Sequence, residues 1–170
     1  MKRSFITLMT LVATGAVFAA EGLKPETKPP VGPVQVTVTC DKLHYSHGEP
    51  GVNYIMAPTG RLKATLTATN SSNQAQTLAF RSGQKFDFII RNADGKEVKR
   101  WSTSKMFTQA LAEESLAAGR GMSFSENLSL GEAGKPLPEG GYVLEAILVC
   151  QPPLSARVPF KIVPTPLRVR

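Results

Sequence analysis

Cys40, His44 and His47 fall within one short stretch, the chain's one grouping that could hold a metal. A structural zinc site takes four ligands at characteristic spacings, and no fourth candidate lies nearby. No metal or other cofactor is therefore expected. These are also the chain's two histidines, and nothing of the form Gly-x-Ser-x-Gly frames a nucleophile, so a Ser-His-Asp hydrolase has no support. Phosphate-cradling and dinucleotide-binding glycine patterns do not occur. The residue types argue against an enzyme.

Two other sets of residues carry expectations. Cys40 and Cys150 fall on the apolar phases of alternating runs, Val34, Val36, Val38, Cys40 and Tyr142, Leu144, Ala146, Leu148, Cys150. In an oxidising compartment such a pair is expected to form a disulfide, on condition that both strand ends reach the same end of the fold. The second set is Lys135-Pro136-Leu137-Pro138. Proline fixes φ and lowers the entropy lost on docking. Leu137 between two prolines reads as an exposed apolar side chain of a size that fits a hydrophobic pocket. These four residues are the expected partner-binding segment.

The chain has 170 residues, enough for one domain with a core of its own. Residues 1–19 read as a secretory signal: Lys2 and Arg3, an apolar run from Phe5 to Phe18, and a Val17-Phe18-Ala19 cleavage site. The run is too short and too rich in small residues for a comfortable membrane span, so no stable insertion is expected after cleavage. Export to the periplasm, envelope or medium follows. Residues 20–33, with Pro25, Pro29, Pro30 and Pro33, read as an extended tether. Without Lys2 and Arg3, 18 basic residues stand against 13 acidic ones, a net charge of +5. The basic residues are scattered rather than clustered beside aromatics, which argues against nucleic acid.

Residues 34–163 carry the domain and residues 164–170 a flexible tail. Val34–Cys40 alternates, a strand is expected around Val52–Met56, and Arg61–Asn70 puts Leu62, Ala64, Leu66 and Ala68 on one face. Phe86, Phe88 and Ile90 share a face opposite Asp87 and Arg91, and Asp87 reads as a solvent-facing partner for a neighbouring Arg or Lys. Asn92 to Lys96 is turn chemistry with Gly95 suited to positive φ, and the return run ends at Trp101. Met106, Phe107, Ala110 and Leu111 recur at helical spacing after a possible Ser104 cap, which predicts a short helix whose Phe107 and Leu111 plug the core. Met122 to Leu130, Tyr142 to Cys150 and Val158 to Ile162 resume a period of two. Glu126 interrupts the apolar phase of the first of these and should lie near an edge. The pattern predicts an all-β, antiparallel sandwich of about seven to eight strands with one short helical insert. Phe86, Phe88, Trp101, Phe107 and Tyr142 are its expected framework, with Trp101 buried beside the hairpin.

Ser82-Gly83-Gln84, Phe86-Asp87-Phe88, Asp94-Gly95, Trp101-Ser102, Phe107-x-Gln109-Ala110-Leu111 and Pro136-Leu137-Pro138-x-Gly140-Gly141-Tyr142 resemble the signature of the BsuPI family. That family is named for an intracellular proteinase inhibitor. The resemblance covers roughly residues 62 to 163 and implies an immunoglobulin-like β-sandwich, with Tyr142 in the place of a tyrosine corner. It also implies inhibition of a serine protease of the subtilisin-like class, here extracytoplasmic, by a monomer acting through a surface loop. The alternative is a non-inhibitory immunoglobulin-like module that docks an envelope protein.

Overall fold

The computed structural model of the protein describes residues 32–46, 60–132 and 135–164. The signal segment, the tether up to Val31, His47, the strand expected around Val52–Met56 and residues 165–170 lie outside the described residues.

The longest strand is β3 (Arg61–Asn70), and its alternation decides its place. Leu62, Ala64, Leu66 and Ala68 are fully buried while Lys63, Thr65 and Thr67 face outward, as a period of two requires. β3 is the centre of a three-stranded antiparallel sheet with β1 (Val34–Cys40) and β8 (Gly121–Ser129) at its edges. Edge position tolerates a half-buried charge, and Glu126 lies there, opposite Ala64.

The facing sheet has the order β2 (His44–Tyr45), β12 (Leu154–Ile162), β11 (Gly140–Leu148), β5 (Phe86–Asn92), β6 (Glu97–Arg100). All its pairings are antiparallel except β2 on β12. The β5–β6 turn works as its residues predict: Gly95 has φ +78°, and the Asn92 side chain accepts the Lys96 amide at 2.9 Å. Two short pairs complete the fold. β4 (Gln76–Phe80) pairs with β7 (Ala112–Leu116), and β9 (Gly131–Glu132) with β10 (Lys135–Pro136). The protein is an antiparallel β-sandwich. Its core gathers Leu62 and Leu66 from one sheet and Phe88, Ile90, Leu144, Leu148 and Phe160 from the other. Each such side chain contributes about 1.5–3 kcal/mol on burial.

Three expectations are corrected. No helix forms over Met106–Leu111. The helical content among the described residues is one 3₁₀ turn, Trp101–Ser104, and the chain then runs without regular structure to β7. Leu111 is 82% exposed and plugs nothing; four apolar residues at helical spacing cannot offset the nucleation cost of so short a helix. The second correction concerns the cysteines, which are free. Cys40 ends β1 just before β2, which pairs with Lys161 and Ile162. Ile162 faces Gly140, at the start of β11, whereas Cys150 follows its other end. The thiols therefore sit at opposite ends of a nine-residue strand, about 30 Å long at 3.4 Å per residue. The third is Asp87, which is 3% exposed rather than solvent-facing.

Candidate functional site

Asp87 shows how the fold roots the longest irregular segment among the described residues. Standing on the outer face of β5, it accepts hydrogen bonds from Arg100 Nη1 (2.9 Å), the Ser102 amide (3.2 Å) and Ser102 Oγ (2.7 Å). One buried carboxylate thus holds the end of β6 and the start of the 3₁₀ turn. Arg100 also grips Glu97, at 2.9 and 2.6 Å, and these bonds hold the Glu97 carboxyl below the usual carboxylate range.

The same turn presents Trp101 to a stack of aromatic rings. Phe86 lies 4.5 Å from Trp101 and 4.7 Å from Phe124, both stacked, and 5.5 Å from Phe88 edge-on. Phe107 tilts against Trp101 at 5.9 Å, and Lys105 Nζ lies over the Trp101 ring at 5.0 Å. Phe86, Phe88, Trp101 and Phe107 are therefore brought together as expected, but Trp101 and Phe107 are half-buried rather than interior.

What this stack positions is the segment from Lys105 to Leu111. Lys105 is extended (φ −112°, ψ 150°) and its amide donates to Ser102 O at 2.9 Å. Two residues on, Phe107 is docked on Trp101. At Thr108 the carbonyl accepts the Gly83 amide at 2.8 Å. A Cβ on Gly83 would stand 2.5 Å from Thr108 Oγ1, so glycine allows this close approach. Beyond the segment, β7 is held by β4 and by the Lys85–Glu114 ion pair. Met106 lies between the clamps and is 99% exposed. Sequence reasoning missed it because its spacing with Phe107 and Ala110 is that of a small amphipathic helix.

An open cleft of about 470 Å³ reaches Thr103 and Ser104, in the turn that precedes this segment. It is lined by Glu97 to Arg100 of the edge strand β6, by Thr103 and Ser104, and by Gly131, Glu132, Lys135 and Leu137. Lys135 and Leu137 thus share this cleft with Thr103 and Ser104, at the root of the Lys105–Leu111 segment. Lys135 and Pro136 are exposed in β10, but Leu137 is half-buried against the core and its amide donates to Leu130 O at 3.0 Å. The expectation of a free apolar side chain at Leu137 is corrected: the leucine anchors the cleft lining from inside. Pro138 is fixed too, its carbonyl accepting Tyr142 Oη at 2.8 Å. Buried Tyr142 stacks on Phe160 at 5.6 Å, which gives it the hydrogen-bonding pattern of a tyrosine corner.

The outer face of β11 adds a charged lattice. Glu145, 5% exposed, accepts Arg91 Nε at 2.8 Å and Arg157 Nε and Nη2 at 2.9 and 2.7 Å. Burial pushes its carboxyl up, but the two guanidinium groups outweigh burial and hold it below the ordinary range. At the far end, burial and the Asp41 carboxylate push the Cys40 thiol up to about 12.

The chain matches the model of BsuPI, intracellular proteinase inhibitor, over residues 53–153. It belongs to that family. Membership makes a proteinase-inhibitor-like function, and a protein partner, the general expectation. Among the described residues no helix is long and apolar enough to cross a membrane. No curated protein matches the chain. Distant likenesses to solved structures include the sporulation control protein Spo0M of Bacillus subtilis, at 14% identity and TM-score 0.44 over 80% of this chain and 51% of that one. Others are a β-glucosidase of Erythrobacter marinus (13%, 0.41, 76% and 15%) and a DNA glycosylase of Pseudomonas fluorescens (13%, 0.42, 76% and 30%). The chain thus spans from 15% to 51% of the length of these proteins, and no functional reading follows from them.

Proposed function

We propose that the protein inhibits an extracytoplasmic serine protease of the subtilisin-like class by presenting Lys105–Leu111 to its cleft, with Met106 in an apolar specificity pocket. An inhibitory segment needs an extended backbone that loses little entropy on docking and one anchor side chain free to be buried. The observation that carries the reading is that Met106 is 99% exposed while Lys105, Phe107 and Thr108 are each tied to the sandwich. Lys135, exposed and lining the cleft, supplies a second contact. Export rests on the amino-terminal pattern of residues 1–19.

The test is Met106→Asp, assayed for inhibition against a panel of subtilisin-like enzymes. A charge at this exposed site should leave the melting temperature within about 2–3 °C, since surface changes cost under about 0.5 kcal/mol. Inhibition should fall at least roughly 100-fold, as expected on burying an unpaired carboxylate. Unchanged inhibition would remove Met106 from the contact. A second reading, a docking module of the envelope, draws on the open edge of β6, where a partner strand could add beside the cleft. Wild-type protein that slows no enzyme of the panel at stoichiometric amounts would favour that reading.

A further inference from the structure

We infer that Met106 is a modification site, whose oxidation by a peroxide to the sulfoxide releases the target; this rests on the segment reading above. A thioether attacks one oxygen of hydrogen peroxide, the O–O bond breaks, and a sulfur–oxygen bond forms. The sulfur loses two electrons to the peroxide, and the departing hydroxide takes the remaining proton to leave as water. The step needs no neighbouring base, so access to solvent decides which methionine reacts. Of the two methionines among the described residues, Met106 is 99% exposed, whereas Met122 on β8 is half-buried against the core.

The consequence is confined to binding. Neither the Phe107–Trp101 contact, the Gly83–Thr108 hydrogen bond nor the Lys85–Glu114 pair involves the Met106 side chain, so oxidation leaves the segment in place. It converts a flexible apolar anchor into a polar one. Burying that sulfoxide in an apolar pocket without a donor should weaken inhibition roughly 10- to 100-fold. The clamps that make the segment a good inhibitor also leave its sulfur open to solvent, so sensitivity to peroxide is built into the same geometry. Oxidation is reversible by methionine sulfoxide reductase.

The experiment treats the purified protein with graded hydrogen peroxide, follows each methionine by peptide mapping, and assays inhibition at every step. The Met106 peptide should gain one oxygen before the Met122 peptide does. Inhibition should fall in proportion, and the reductase should restore it. Met122→Leu should keep the full peroxide response, while Met106→Leu, whatever its starting strength, should lose nothing further on treatment. Oxidation of Met122 ahead of Met106, or a fully oxidised Met106 with undiminished inhibition, would overturn the inference alone. Inhibition absent before any peroxide is added would overturn the segment reading and this inference with it.

Discussion

Glu145 shows how a single residue can serve the frame without touching the site. A carboxylate in the middle of a sheet is costly unless fully paired, and here both oxygens are occupied, one by Arg91 and one by Arg157. Its folded pKa is depressed, so the stabilisation it gives is complete above the unfolded carboxylate value of about 4.3 and is lost as pH falls through the folded one. Glu145→Gln removes the charge but keeps the shape. We expect a loss of about 1–3 kcal/mol at neutral pH, the usual cost of breaking hydrogen bonds to a charged partner. As pH falls below the unfolded value the difference should shrink, because wild type then begins to lose the same stabilisation. Chemical denaturation at pH 7 and pH 3 checks both statements, and an equal deficit at the two pH values would refute the ion-pair account. Asp87 differs in what depends on it. Its ligands are the backbone and hydroxyl of Ser102 as well as Arg100, so it fixes the root of the segment that carries Met106.

At the scale of elements, the β9–β10 pair supplies part of the lining of the cleft. Gly131 has φ +140°, a conformation that side-chain-bearing residues avoid, and a Cβ there would meet Pro136 Cα at 2.5 Å and Lys135 O at 2.6 Å. Both contacts are backbone, so neither can swing aside. Gly131→Ala should therefore cost at least about 2 kcal/mol through strain and loss of the pair, and should free Leu137 from the core. Thermal unfolding measures the first effect and hydrogen exchange at the Leu137 amide the second; a protected amide in a fully stable variant would contradict the geometry. Such long-range approaches are what the sequence hides. The strands were legible because Leu62, Ala64, Leu66, Ala68 and Tyr142, Leu144, Ala146, Leu148 alternate without a break, and Gly95 marks its turn. Tyr142 was legible from the glycines before it. The clamps on Lys105–Leu111 were not, because they join residues far apart: Gly83 to Thr108, Asp87 to Ser102. Leu137 misled for a related reason, since flanking prolines suggest exposure while its burial depends on the distant wall of the sandwich. Helical spacing at Met106 to Leu111 was real, but four residues held by their neighbours follow the neighbours.

For the whole molecule, the length of the sandwich settles the chemistry of its two thiols. Either sequence run, taken alone, places its cysteine on a core-facing phase, and both do turn inward to some degree, Cys40 half-buried and Cys150 buried. What the runs do not encode is direction. β11 runs from the Cys40 end, beside Ile162 and Tyr45, to the end where Cys150 pairs with Phe80. A disulfide needs Cα atoms about 5.5–6 Å apart, and closing a gap several times larger would require unpairing β11 from β5 and β12. Each thiol also has local reasons to stay inert. Cys40 is pushed up to about 12 by burial and by Asp41, whose own carboxylate accepts Tyr45 Oη at 2.8 Å, and burial raises Cys150, whose Sγ lies 3.2 Å from the Pro152 carbonyl. Thiolate is the reactive form, so at neutral pH both should alkylate slowly in the native protein and rapidly in denaturant. A reducing agent should leave the melting temperature unchanged. Peptide mapping without reduction should recover the Cys40 and Cys150 peptides separately, even after exposure to an oxidising buffer. Recovery of the two joined within one native monomer would show that the register of β11 against β12, and with it the placement of both ends of the sandwich, is wrong.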